Sequence, residues 1–164
     1  MKYQRLYDIT LRDFGHLSDH QIGSLTMYAE TRGEPDEGKI CFGTVLLERV
    51  DHRTWDGKTV KEVCLWPWQY SCYLPGDRNR PMLVNIAENY DAELAKNKML
   101  QKCHAIMGGM LDGSIPRDSD LAAVNCCQYL NPVTAKKTRD EWLAAGMKII
   151  KKVGKHEFFD DGTK

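Results

Sequence analysis

Glu30 and Glu34 stand four residues apart in "AETRGEP", Ala29 to Pro35, separated by an arginine and a glycine where a helix is expected to end. Two carboxyls at such a corner are candidates for acid–base chemistry, in which one protonated group gives a proton to a leaving oxygen and takes one back. The last turn of a helix faces the negative end of the backbone dipole, which disfavours an exposed carboxylate by roughly 0.3–1 kcal/mol. Packing among Tyr28, Trp66, Trp68 or Tyr70 would add desolvation, the larger lever on a carboxyl pKa. Both effects favour a protonated Glu30, the state needed to protonate a glycosidic oxygen. The competing reading is a surface ion pair of Glu30 with Arg32 or Lys39, of little energetic consequence. Glu34 can equally be the entry residue of a second helix or a structural partner of Arg32. Spacing alone does not decide between these readings.

The elements that must hold this corner are legible nearby. Ser18 and Gln21 have capping-box spacing, and Ile22, Leu25 and Ala29, with Met27 and Tyr28 alongside, give an apolar helical face. Gly33 suits the position just beyond the helix, which is expected to stop near Arg32. Pro35 is expected at the first position of the next helix, with Asp36 and Glu37 in its acidic first turn and Phe42, Val45, Leu46, Arg49 and Val50 continuing it. "TVKE", Thr59 to Glu62, predicts a short capped helix, and "LWPWQYSCYLPGDRNRP" reads as an aromatic loop. A long helix or helix pair is predicted from about Met82 to Met107, closed by Gly108 and Gly109. Beyond it, "LAAVNCCQYLNP" reads as a strand, "TRDEWLAAG" as a short helix, and "KIIKKVGKHEFF" as a second strand or hairpin arm. The prediction is a mainly helical α+β chain with a small C-terminal sheet, organised as one domain over 1–164.

Composition narrows the function classes. The 164 residues carry 23 basic and 23 acidic side chains, a net charge of zero, which argues against a broad electrostatic nucleic-acid binder. The N-terminal segment has scattered charges and no secretory pattern, and no apolar run approaches the roughly 18 residues of a membrane span. Cytoplasmic synthesis without stable membrane association is the resulting expectation. The six cysteines contain no CxxC pair, and Cys126 and Cys127 are adjacent, so buried apolar thiols are expected rather than a zinc site or disulfide framework. A Cys72–His104 nucleophile pair is the remaining thiol chemistry. His16, His20, His52, His104 and His156 make no persuasive ligand set by spacing; no metal and no cofactor are expected.

The stretch "YAETRGEPDEGKICFGTVLLERV", Tyr28 to Val50, resembles the signature of the SleB/CwlJ-type cell wall hydrolases, the spore cortex-lytic enzymes and their bacterial and phage relatives. Thr31 replaces the usual alanine, and Glu48 precedes Arg49-Val50. Three later blocks follow in the family's order: "WQYSCY" at Trp68 to Tyr73, with Trp68 in place of a glycine, "QYLNPVTA" at Gln128 to Ala135, and "KKVGKHEFF" at Lys151 to Phe159. Together they span about Ser18 to Phe159.

The resemblance implies a lysozyme-like or lytic-transglycosylase-like domain that cleaves the glycan strands of peptidoglycan between N-acetylmuramic acid and N-acetylglucosamine, with 1,6-anhydromuramyl ends as the expected product. It assigns the catalytic acid to Glu30 and a supporting role to Glu34. Tyr70, Ser71, Tyr73, Tyr129, Asn131 and His156 become candidate substrate-binding or supporting residues, since aromatic faces stack on sugars and polar groups hydrogen-bond them. Each also has a structural reading: core or turn for Tyr70 to Tyr73, turn initiation for Asn131-Pro132, a structural strand histidine for His156. A second carboxyl, which ordinary hydrolysis would want, has Glu34, Asp77 and Glu157 as candidates. The expected setting is a monomeric bacteriophage endolysin, held in the host cytoplasm until a separate membrane-permeabilising protein releases it to the wall. A muramidase, an N-acetylmuramoyl-L-alanine amidase and a non-catalytic wall-binding module are the alternatives.

Overall fold

The computed structural model describes residues 2–53 and 55–162. The chain begins with α1 (Lys2–Phe14), which sequence reading passed over because charged residues interrupt its apolar face of Tyr7, Leu11 and Phe14. Next comes α2 (Asp19–Thr31), started by Ser18, whose hydroxyl accepts from the Gln21 amide while the Gln21 side chain accepts from the Ser18 amide. This is the expected capping box.

The helix α2 is the centre of the molecule rather than an amphipathic surface helix. Every residue from Ile22 to Tyr28 is buried, because α3 (Asp36–His52), α4 (Val60–Leu65), a 3₁₀ turn (Ser71–Tyr73) and α7 (Lys98–Asp112) surround it. Ser24, Thr26 and Thr31 tolerate burial by donating their hydroxyls to the carbonyls of His20, Ile22 and Met27 four residues back. The principal core is built on Phe14, Ile22, Leu25, Met27, Phe42, Leu46, Leu83, Leu100 and Met107.

The corner between α2 and α3 forms where predicted, with two local corrections. Gly33 is not in the left-handed region; the Arg32 and Glu34 amides instead bond the carbonyls of Tyr28 and Thr31. Pro35 is the extended N-cap of α3, one position before the expected first helical residue, and Asp36 opens the helix.

The expected long helix or helix pair is three helices: α5 (Arg80–Glu88), α6 (Tyr90–Lys96) and α7. Asn89 and Asn97 make the breaks, and Asn97 Oδ1 accepts from the amides of Met99 and Leu100 to cap α7. Gly108 and Gly109 lie inside α7, which continues to Asp112 and the left-handed Gly113. They serve packing: a Cβ at Gly108 would press on the His20 ring and one at Gly109 on Ile115.

The strand expected over Leu121 to Pro132 is mostly absent. Ser119–Ala123 is a short helix, α8, then Asn125 turns at φ 51°, and only Gln128–Leu130 forms a strand, β1. After α9 (Lys136–Ala144), the stretch expected to be one strand or hairpin arm is two, β2 (Lys148–Val153) and β3 (His156–Asp160), which pair with each other across a turn at Gly154. The antiparallel sheet has the order β1-β3-β2, with Tyr129 opposite Phe158 and Leu130 opposite Glu157. A second core of Cys41, Val45, Leu121, Cys126, Val153 and Phe158 fastens the sheet to α3 and α8. The architecture is thus mainly helical α+β, and no helix among the described residues is long and apolar enough to cross a membrane.

Candidate active site

Glu30 lies in the last turn of α2 at the edge of a cleft of about 710 Å³. The floor comes from buried Arg49 of α3, Tyr70 before the 3₁₀ turn and Tyr129 of β1, while Trp68, Ser71, Asn131, Thr134 and His156 stand in the walls. Glu30 is the one acidic residue among the described residues that line it.

The Tyr129 hydroxyl donates to Glu30 Oε2 at 2.9 Å. Burial of the carboxyl raises its pKa above the ordinary glutamate value; the hydrogen bond from Tyr129 and the nearby Arg49 cation pull it down, and Asp77 pushes it up. The position at the carbonyl end of α2 adds to the preference for the neutral acid. Neither surface ion-pair partner considered above reaches it. The Arg32 guanidinium donates to Asn79 Oδ1 and lies over the Tyr28 ring, and the buried Lys39 ammonium donates to the Glu34 carbonyl.

Glu34 is placed differently. Its side chain is buried beneath the β2–β3 turn, where Oε2 accepts from the Lys155 amide at 2.8 Å, and it does not line the cleft. Gly154, at φ 55°, sits so close that a Cβ there would collide with the Glu34 carboxylate. Glu34 therefore fastens the hairpin that carries His156. Glu157 is held by Arg139 and Lys152, and Asp77 Oδ1 accepts from the Asn79 amide. None of the three second-carboxyl candidates lines the cleft.

The remaining candidates divide by position. Tyr70 is buried, its ring edging the cleft and its hydroxyl accepting from Arg49 Nη1 at 2.8 Å. Ser71 is exposed on the cleft wall. Tyr73 lies in the core away from the cleft, sharing a 2.7 Å hydrogen bond with the Thr26 hydroxyl; the expectation of direct sugar contact is corrected to a packing position. Asn131 lines the cleft while its Oδ1 accepts from the Val133 amide, so it also initiates the turn. His156 stands edge-on to Tyr129 with centroids 5.3 Å apart, and burial lowers its pKa, which favours the neutral ring. Of the aromatics expected around Glu30, Tyr70 and Trp68 line the cleft. Tyr28 instead takes a hydrogen bond from Asn97, and Trp66 packs against Tyr7.

Arg49 is the residue whose site role sequence reading missed. It is 4% exposed, donates to the Cys127 carbonyl and Tyr70 hydroxyl, and lies 5.4 and 5.7 Å from the ring centroids of Tyr70 and Tyr129. An arginine at an apolar-face position of a helix was the available signal, because a buried cation needs dedicated partners. The thiol alternative fails on geometry. Cys72 is buried beside Glu30 with its pKa pushed well up, whereas His104 stacks on His20 and meets Ser24 and Tyr90. All six cysteines are free and buried.

Fold and site together define a mainly helical α+β domain whose cleft, among the described residues, is lined by a single carboxyl. The fold is shared with the catalytic domain of the germination-specific lytic transglycosylase SleB from Bacillus anthracis, at 25% identity and TM-score 0.59 over 88% of this chain and 97% of that one. The catalytic domain of SleB from Bacillus cereus is similar at 25% identity and TM-score 0.55, covering 86% and 88%. Comparison with curated proteins yields no match. The sequence profile of the cell wall hydrolases matches residues 33–159, beginning three residues after Glu30. The chain belongs to the cell wall hydrolase family and is a peptidoglycan-cleaving enzyme.

Proposed function

We propose that the enzyme cleaves the glycan strand between N-acetylmuramic acid and N-acetylglucosamine as a lytic transglycosylase, with Glu30 as both acid and base. The observation that carries this reading is that Glu30 is the single carboxyl lining the cleft among the described residues and is desolvated, with Glu34, Asp77 and Glu157 engaged elsewhere. The similar SleB domain from Bacillus anthracis, described as a lytic transglycosylase, supports the same reaction. Glu30 gives its proton to the glycosidic oxygen as the bond to the muramyl C1 breaks, leaving an oxocarbenium-like ring. The resulting carboxylate takes the proton of the same sugar's 6-hydroxyl, and O6 closes on C1. One carboxyl returns to its starting state, and no water is consumed.

Tyr129 aims Glu30 and stabilises its anionic form between the two steps, while Arg49 supports both Tyr129 and Tyr70. Tyr70, Ser71, Asn131 and His156 supply the wall for the sugar rings. Glu34 acts by holding the hairpin, and Tyr73 by packing in the core against Thr26 and Phe14. The biological setting that fits the sequence reading is a monomeric phage endolysin, made in the host cytoplasm and admitted to the wall by a separate membrane-permeabilising protein.

Mass spectrometry of fragments released from purified sacculi tests the chemistry. Anhydromuramyl ends are expected; reducing muramyl or glucosamine ends would replace the proposal with hydrolysis, and free stem peptides with amidase activity. For the setting, cytoplasmic expression in a Gram-negative host is expected to lyse cells only when a pore-forming protein is supplied.

A further inference from the structure

A second cavity, of about 490 Å³, adjoins the cleft and shares Asn131 and His156 with it. Its other walls are Pro132 and Val133 on one side and Lys152, Gly154, Lys155 and Glu157 of the hairpin on the other. The volume is that of an ordinary ligand-binding cleft. Val133 is 86% exposed at its rim, an apolar side chain with little to cover it.

The charges lining the cavity are uneven in a chain of zero net charge. Among the described residues that line it Glu157 is the one carboxylate, and both oxygens are already engaged by Arg139 and Lys152. Arg139 also approaches Asp140 at 4.0 Å, and the Glu34 carboxylate is buried behind the turn on the Lys155 amide. The Lys155 side chain is exposed, and its ammonium has no ion-pair partner among the described residues. Among the described residues lining the groove, Lys155 is thus the cation without an ion pair.

The substrate supplies a matching group if Glu30 acts at the muramyl C1. The lactyl ether and stem peptide leave that sugar from C3, two ring carbons from the reacting bond. The stem must therefore exit the cleft beside the muramyl ring, and it carries free carboxylates and small apolar side chains. We propose that the second cavity is a subsite for the stem peptide of the muramyl residue under cleavage, with Lys155 reading its carboxylates and Val133 and Pro132 packing its apolar side chains. This rests on the reading of Glu30 as the acid at the muramyl bond.

Two measurements separate the subsite from that reading. In the first, wild type and Lys155→Glu are assayed on peptide-bearing glycan strands and on strands stripped of peptide. Wild type is expected to prefer the peptide-bearing strand by about two- to fivefold, through KM, as for one exposed ion pair. The preference should fall to about one in the variant. A structural role for Lys155 would lower both rates and leave the ratio intact, and that result, or no preference in wild type, overturns the proposal. In the second, soluble N-acetylmuramyl tripeptide and its fully amidated counterpart are titrated into both proteins without turnover. Tighter binding of the acid form by wild type alone, with amide shifts at Gly154 and Val133, is expected. Equal affinities overturn the subsite even if cleavage proceeds, whereas failure to cleave either strand would remove the assignment of Glu30 and leave the titration to judge the cavity.

Discussion

The Tyr129 hydroxyl donates to Oε2 of Glu30 across 2.9 Å, joining the first strand of the sheet to the last turn of the central helix. Such a bond favours the carboxylate, so it tempers the rise in pKa that burial imposes. In Tyr129→Phe the Glu30 pKa should rise further, keeping the acid protonated to higher pH. The alkaline limb of the kcat/KM profile is expected to move upward, with the maximal rate lower because Glu30 is less well aimed. An unshifted limb would mean that Tyr129 does not govern the titration of the acid.

Glu30→Gln is expected to lower cleavage of sacculi by about 10²- to 10⁴-fold, the usual range for loss of a general acid. The same variant should be more stable than wild type at neutral pH. A carboxyl whose folded pKa lies above the ordinary 4.5 favours the folded state least once it ionises. Its contribution is therefore lost as pH rises through the folded value. Chemical denaturation at several pH values checks this: the gap between variant and wild type should narrow as pH falls from the raised folded value toward 4.5, and change little below it.

Arg49→Met removes the donor to the buried Tyr70 hydroxyl and one of two donors to the Cys127 carbonyl, which keeps its bond from Arg53. A loss of about 1–3 kcal/mol in denaturant unfolding is expected from leaving the Tyr70 hydroxyl without its donor. Cleavage should fall about ten- to hundredfold as Tyr129 and Tyr70 lose their support. Full activity in a folded variant would separate Arg49 from the cleft.

Gly154→Ala places a methyl group against the Glu34 carboxylate at a left-handed backbone position, and should cost about 1–3 kcal/mol. Glu34→Ala alone loses the acceptor of the Lys155 amide. The double variant should be less unstable than the two single costs added, because removing Glu34 clears the collision. A cycle of thermal or urea unfolding measures this coupling, and strict additivity would contradict the contact.

The six thiols should resist modification in the native protein. Burial pushes Cys64 up to about 12 and Cys103 up to about 11, leaving little thiolate at neutral pH. Titration with a disulfide reagent is expected to find almost no reactive thiol before denaturant and six after it. Rapid native reaction at Cys72 would show that the floor beneath Glu30 opens.

Much of the local structure was legible because its causes are local. Ser18 with Gln21 and the Gly33–Pro35 corner each rest on residues within a few positions of one another, where backbone chemistry alone sets the geometry. The ordered family-like blocks likewise lie in the chain itself. The ends of α7 were misread because Gly108 and Gly109 resemble helix stops until His20 and Ile115 are seen against them. The strand over Leu121 to Pro132 was misread because a short helix and the left-handed Asn125 interrupt its apolar residues.

By itself, then, the sequence determined the helical corner, the candidate pair Glu30 and Glu34 and the order of the segments around them. Tertiary structure separated the two glutamates. Glu30 meets Tyr129, 99 positions away, in a cleft, whereas Glu34 meets the Lys155 amide, 121 positions away, under a turn. It also turned Arg49 from one more residue of a helical repeat into the buried support of two tyrosines. Local spacing fixes backbone direction; burial and charge, which set what a carboxyl can do, depend on residues distant in sequence and brought close by packing.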